Sequence, residues 1–140
     1  MISEFIAFMQ GCPYISDATS SICVDREGGE SGVSVSQSGN RIVRKFKDGS
    51  TLVERDLILY FAQNADNDEQ RIDNNDLLDH VFDWVLSQTA RRNYPNFGEG
   101  RRCISLTASN GMLYDSEDEG AAIYQMQFKL QYYQKGDMKQ

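Results

Sequence analysis

The side chains best able to do chemistry are few and scattered. His80 is the only histidine, and Cys12, Cys23 and Cys103 are the only thiols. A histidine holding a nucleophile and oriented by a carboxylate would serve acyl transfer or hydrolysis. Asp83 stands three residues after His80, close enough on a helix to orient an imidazole, but no spacing supplies the nucleophile. His80 is followed by Val-Phe-Asp, which also misses the HxxxD arrangement of chloramphenicol-type acyltransferases. Three cysteines without a CxxC pair read as small core residues or inert thiols, at home in a reducing cytoplasm.

Two acidic clusters invite a metal test. Asp66-Asn-Asp-Glu69 begins like a calcium loop, then places Gln70 and Arg71 where a third ligand and a turn glycine belong. Asp115-Ser-Glu-Asp-Glu119 has the carboxylates but no glycine at the required position. The glycines form neither a GxGxxG nor a P-loop pattern. With no catalytic constellation and no ligand set, the chain is expected not to be an enzyme and to need no cofactor or metal.

What remains is charge that can meet other protein. Arg44-Lys-Phe-Lys47 leads into Asp48-Gly49, and Arg91-Arg92 and Arg101-Arg102 bracket one loop. A net charge of −7 opposes sequence-independent nucleic-acid binding, so these cations read as a salt-sensitive protein contact. Arg101 and Arg102 set against the acidic loop of a neighbouring copy would give a head-to-tail contact, the kind that closes into rings. The candidate contact residues are therefore Arg44, Lys45, Lys47, Asp48, Gly49, Arg101, Arg102, Asp115, Glu117, Asp118 and Glu119.

These residues need elements to position them. At 140 residues and 15.9 kDa the chain suits a single α+β domain over 1–135 with a loose tail at 136–140. Ile2, Phe5, Ile6 and Met9 mark one face of an amphipathic helix that Gly11 and Pro13 stop. Tyr14 to Ser21 reads as a polar connection, Ile22 to Asp25 and Gly32 to Gln37 as short strands, and Glu27 to Gly32 as a turn. A hairpin pairs Arg41–Lys47 with Ser50–Phe61 through Asp48-Gly49, a favoured type I′ turn. The apolar run Leu57–Phe61 suits a central strand. The main helix runs from about Asn74 to Arg91 with Asp73 as N-cap. Arg102–Ser109 is a strand that Asn110-Gly111 breaks, with Met112–Asp115 a short extension. The last strand alternates strictly, with Tyr124, Met126, Phe128, Leu130 and Tyr132 on one side and Gln125, Gln127, Lys129 and Gln131 on the other. The expected fold is a mostly antiparallel sheet with a hairpin, covered on one face by two helices. No apolar run approaches the ~20 residues that span a bilayer, and Met1-Ile-Ser-Glu-Phe5 lacks the marks of a signal peptide.

Gly11-Cys-Pro-Tyr14, Lys47-Asp-Gly-Ser50, Leu59-Tyr-Phe-Ala62, Phe82-Asp-Trp-Val85 with Gln88-Thr89, Leu113–Glu119 and Ala122–Phe128 occur in an order and spacing similar to one family. The chain resembles the small minor capsid proteins from the tail-assembly clusters of phages and prophages of Gram-positive bacteria, and through them tail terminator proteins. The resemblance covers nearly the whole chain and rests on no chemical motif. It implies a sheet packed against helices, loops or a hairpin reaching a neighbouring subunit, and a hexameric ring at the head-proximal end of the tail tube. Its implied partners are copies of itself, the tail tube protein and a neck or head-completion protein, with DNA passing through the channel unbound. Its implied place is the virion, assembled in the host cytoplasm, with no membrane partner. The alternatives are a head-completion or neck adaptor and, in a different class, a small-ligand or metal-binding module.

Overall fold

Alternation in the last strand organises the molecule. In β5 (Ala121–Gln134), Tyr124, Met126, Phe128, Leu130 and Tyr132 are all at most 2% exposed, whereas Gln125, Gln127 and Gln131 are half-buried and Lys129 is exposed. A pleated strand turns successive side chains to opposite faces, so one face of β5 is core and the other is polar. Burying each of the five large side chains contributes about 1.5–3 kcal/mol.

The computed structural model describes residues 1–18, 22–24, 32–116 and 120–136. Three helices, α1 (Ile2–Met9), α2 (Pro13–Ala18) and α3 (Asp68–Ala90), accompany β1 (Ile22–Val24), β2 (Gly32–Lys45), β3 (Thr51–Asn64), β4 (Arg101–Ser116) and β5. The five strands form one sheet in the order β1-β2-β3-β5-β4. β1 lies parallel to β2 and every other pair is antiparallel. The fold is α+β, as the sequence implies.

β3 occupies the centre of the sheet. Leu57, Leu59 and Phe61 are fully buried towards the helices, while Ile58 and Tyr60, on the other face, are half-buried. The helices close the first face. Phe5 of α1 meets Phe128 edge-on at 5.2 Å, Phe8 meets Trp84 of α3 at 5.2 Å, and Leu78, Val81 and Val85 of α3 complete the core. Asn74, 8% exposed, ties α3 to the sheet by donating to the Asn64 carbonyl at 2.8 Å.

Local structure departs from the sequence expectation in four places. The first helix ends at Met9, before Gly11 and Pro13, as expected, but the expected polar connection from Tyr14 begins as α2, which Pro13 opens because a proline at a first helical position gives up an N–H that has no partner there. α3 begins at Asp68, six residues before the expected Asn74 and with a different cap. The Asn67 side chain accepts from Gln70 N–H at 2.9 Å, and Gln70 Oε1 accepts from Asp66 N–H at 2.7 Å, a reciprocal arrangement close to a capping box. The apparent calcium-loop start is thus the entrance of a helix. β2 and β4 are each continuous where two pieces were expected, since the interrupting residues are absorbed as register shifts at Gln37/Gly39 and Ser109/Met112. Gly111 lies at the second of these, where an added Cβ would stand 3.4 Å from Met126 and 3.5 Å from Leu78.

Finally, the hairpin turn is not type I′. Gly49 has φ +88°, but Asp48 does not share the positive φ that such a turn requires. Gly49 N–H donates to the Phe46 carbonyl at 3.0 Å, Phe46 N–H donates to the Ser50 carbonyl at 2.9 Å, and Asp48 Oδ1 accepts from Ser50 N–H at 2.9 Å. The aspartate caps the turn with its side chain instead of bending its own backbone. The expected turn at 27–32, apart from Gly32, and the expected tail at 136–140, apart from Gly136, fall outside the described residues.

Candidate assembly surface

Three segments far apart in sequence meet at one end of the sheet: the β2–β3 hairpin, the start of β4 and the end of β5. The register pairs Leu52 with Tyr133 and Arg102 with Tyr133, so Tyr133 stands between the hairpin and the edge strand. A cleft of about 470 Å³ opens there, lined by Phe46, Asp48, Ser50, Gly100, Arg101, Arg102, Tyr133, Gln134 and Lys135. Arg44 lies over the Phe46 ring at 5.4 Å, Phe46 meets Tyr133 at 5.8 Å, and Arg102 lies over Tyr133 at 5.3 Å. The result is a ladder of cation, ring, ring, cation. Each cation–ring step at an exposed site contributes about 0.5–1 kcal/mol. Arg101 is oriented by donation from Nε to Gln134 Oε1 at 3.2 Å.

Seven of the candidate contact residues thus share one end of the fold: Arg44, Lys45, Lys47, Asp48 and Gly49 on the hairpin, Arg101 and Arg102 at the start of β4. Asp48 is held below its ordinary carboxylate range, first by the Ser50 hydroxyl and then by the Ser50 backbone N–H. Its charge is engaged within the turn, and the cations of the hairpin arm, Arg44, Lys45 and Lys47, are exposed. Asp115 belongs to the opposite end of β4. At ~3.3 Å per residue the two ends of this strand are about 50 Å apart, so Arg101 and Asp115 cannot meet within one chain. Glu117, Asp118 and Glu119, and the side chain of Asp115, lie outside what is described. Arg91 and Arg92 follow α3 and are exposed.

Phe46 is visible in sequence as the aromatic inside the basic run 44–47, but Tyr133 and Lys135 are not marked by the sequence as part of this surface. Tyr133 belongs to the polar side of the alternation in β5, and an aromatic at such a position was the available signal. A second group is also new. On the open sheet face Glu54, 4% exposed, accepts from Arg41 Nε at 2.8 Å and from Gln131 Nε2 at 3.0 Å, with Lys129 Nζ at 4.0 Å. Its carboxyl is held below the ordinary value by the Arg41 bond first and the Gln131 bond second. Beside this group a shallow groove of about 420 Å³ runs over the open face between Ser38, Asp56, Ile58, Thr107, Gln127 and Lys129.

The side chains first weighed for catalysis do not converge with this surface. His80 stacks on Tyr14, ring centroids 4.8 Å apart at 12°. Cys12 is buried, and burial raises its thiol pKa; burial pushes the Cys103 thiol up to about 11. Among the described residues no three His, Cys, Asp or Glu side chains gather as a metal site, and no helix is long and apolar enough to cross a membrane. No known protein family's sequence profile matches the chain, and neither does any curated protein.

Proposed function

We propose that this chain is a structural assembly protein, a tail terminator or tail-to-head joining component that forms a ring, hexameric by the family resemblance, at the head-proximal end of a phage tail tube. The observation that carries the reading is the distribution of charge on an otherwise acidic chain. Arg44, Lys45, Lys47, Arg101, Arg102 and Lys135 belong to segments that meet at one end of the sheet, while the net charge of the whole is −7. A basic end whose cations form no ion pair with a carboxylate among the described residues fits an acidic surface on a neighbour, and a contact between two different surfaces of one chain closes into a ring when its rotation permits. The open polar sheet face supports the same reading, since it offers hydrogen-bonding groups over a wide area and no buried reaction centre. The tube protein, a neck protein and DNA in transit are the partners this role requires.

Light scattering or native mass spectrometry across protein and salt concentration tests the reading. A ring near six times 15.9 kDa that loosens with salt supports it. A monomer that stays monomeric on isolated tail tubes contradicts it. A second reading takes support from the 470 Å³ cleft, whose volume and aromatic and arginine lining fall in the range of small-ligand sites. A monomer carrying a co-purified anionic ligand in that cleft favours this binding-module reading.

A further inference from the structure

Two lateral features of the fold complement one another and lie on opposite sides of the sheet. The first is the outer edge of β2. β1 pairs only with Val33–Val35, so Ser36–Lys45 forms an edge with no neighbouring strand among the described residues. That edge exposes Ile42 (52%) and Val43 (38%) beside Arg44, Lys45 and Lys47. Apolar side chains on a free strand edge are a common site of association, and here a register shift at Ile42/Arg44 kinks the edge, so it does not invite simple strand pairing.

The second feature is the groove between α3 and β4. It measures about 170 Å³ and is lined by Phe82, Val85, Leu86, Thr89, Leu106 and Ala108 among others. A water molecule takes ~30 Å³, so the groove has room for a side chain. Phe82 is 37% and Leu86 51% exposed at its rim. Asp79 and Asp83 stand three residues before Phe82 and Leu86 respectively, and so share their stripe of the helix. α3 carries six carboxylates (Asp68, Glu69, Asp73, Asp76, Asp79, Asp83) against Arg71, concentrated before its last two turns.

We infer that the β2 edge of one copy docks into the α3–β4 groove of the next, Ile42 and Val43 against Phe82 and Leu86, with Arg44 and Lys45 facing Asp79 and Asp83. The two surfaces cannot meet within a chain. β2 and β4 are separated by β3 and β5, about 14 Å at ~4.8 Å per strand, and by the sheet itself. Each copy therefore has one donor and one acceptor, a heterologous contact that propagates from copy to copy. Arg91 and Arg92 at the far end of α3 repel the arm, so its tip points towards the N-terminal half of the helix. This inference rests on the ring reading and deepens it. It places the head-to-tail contact between the hairpin arm and α3, in place of Arg101 and Arg102 against the 115–119 segment.

Complementation by mixing tests it. The arm variant is Arg44→Glu with Lys45→Glu; the helix variant is Asp79→Lys with Asp83→Lys. All four side chains are exposed, and circular dichroism melts verify that both variants fold. Each alone should be monomeric at concentrations where the unaltered chain assembles. Mixed, they should assemble again beyond twice 15.9 kDa, because the arm variant's groove takes the unaltered arm of the helix variant, and the reversed arm and reversed helix meet with opposite charge. Asp115→Lys with Glu117→Lys should leave assembly unchanged. Assembly lost with the 115/117 variant and retained with the helix variant overturns this contact while leaving the ring reading in place. An unaltered chain that stays monomeric even on tail tubes overturns both.

Discussion

Arg41 Nε lies 2.8 Å from Glu54 Oε2, an exposed guanidinium closing over a carboxylate that is only 5% exposed. The pair bridges β2 and β3, where the register sets Arg41 opposite Glu54. With Gln131 donating from β5, it locks three strands on the open face. Because the arm carries the cations of the proposed contact, Glu54 sets where they stand.

The Glu54 site also gives a pH dependence. Hydrogen bonds from Arg41 and then Gln131 to the charged form hold its pKa below the ordinary 4.5. A depressed folded pKa means stabilisation that is complete above the ordinary value and is lost as pH falls through the folded one. Glu54→Gln should cost about 1–3 kcal/mol at pH 7, and the difference from the unaltered chain should shrink below pH 4.5. Urea unfolding at pH 7 and pH 3.5 measures both; an equal difference at the two pH values contradicts the assignment.

Asn67 caps a 23-residue helix. Asn67→Ala should lower stability by about 1 kcal/mol, and Asp73→Ala should cost much less, since Asp73 lies inside α3 and is exposed. Thermal melts of the two variants rank the caps. A larger loss at Asp73 would place the helix start where the sequence first suggests it.

The hairpin tip rests on the end of β5 by backbone contact. A Cβ on Gly136 would fall 2.4 Å from the Gly49 carbonyl carbon, and Gly49 itself has φ +88°. Gly136→Ala should push the tip away and open the cleft, with hydrogen exchange in 46–50 rising severalfold while the core strands stay protected. Gly49→Ala should cost about 1–3 kcal/mol through its left-handed backbone. Unchanged exchange in both variants would mean that the tip does not depend on this contact.

Thiol reactivity tests whether the cysteines can act as nucleophiles. With burial pushing the Cys103 thiol up to about 11 and raising that of Cys12 as well, little thiolate exists at pH 8. Iodoacetamide at pH 8 should leave both largely unmodified in the folded chain and label them rapidly in guanidinium, as peptide mass spectrometry reads. Fast labelling of either in the folded chain would reopen the case for a reactive cysteine.

Much of the fold was legible because it rests on local patterns. The alternation of β5 and the i, i+3, i+4 spacing in α1 report directly which face is buried, and the apolar run of β3 reports its central place in the sheet. The start of α3 was legible in principle, since Asn67 and Gln70 have capping-box spacing, but a metal-like run of carboxylates masked it. The continuity of β2 and β4 was not legible, because a bulge and a strand end use the same glycine and asparagine residues. The basic surface was half legible. Its cations form visible pairs in sequence, but the Phe46–Tyr133 contact that unites them spans 87 positions and is set by sheet register alone.

The most direct measurement is electron microscopy of particles assembled without this chain. Tails that run overlong or remain headless are the expected result, since nothing would cap the tube and present a joint to the head. Tails of normal length joined to DNA-filled heads would contradict the proposed role.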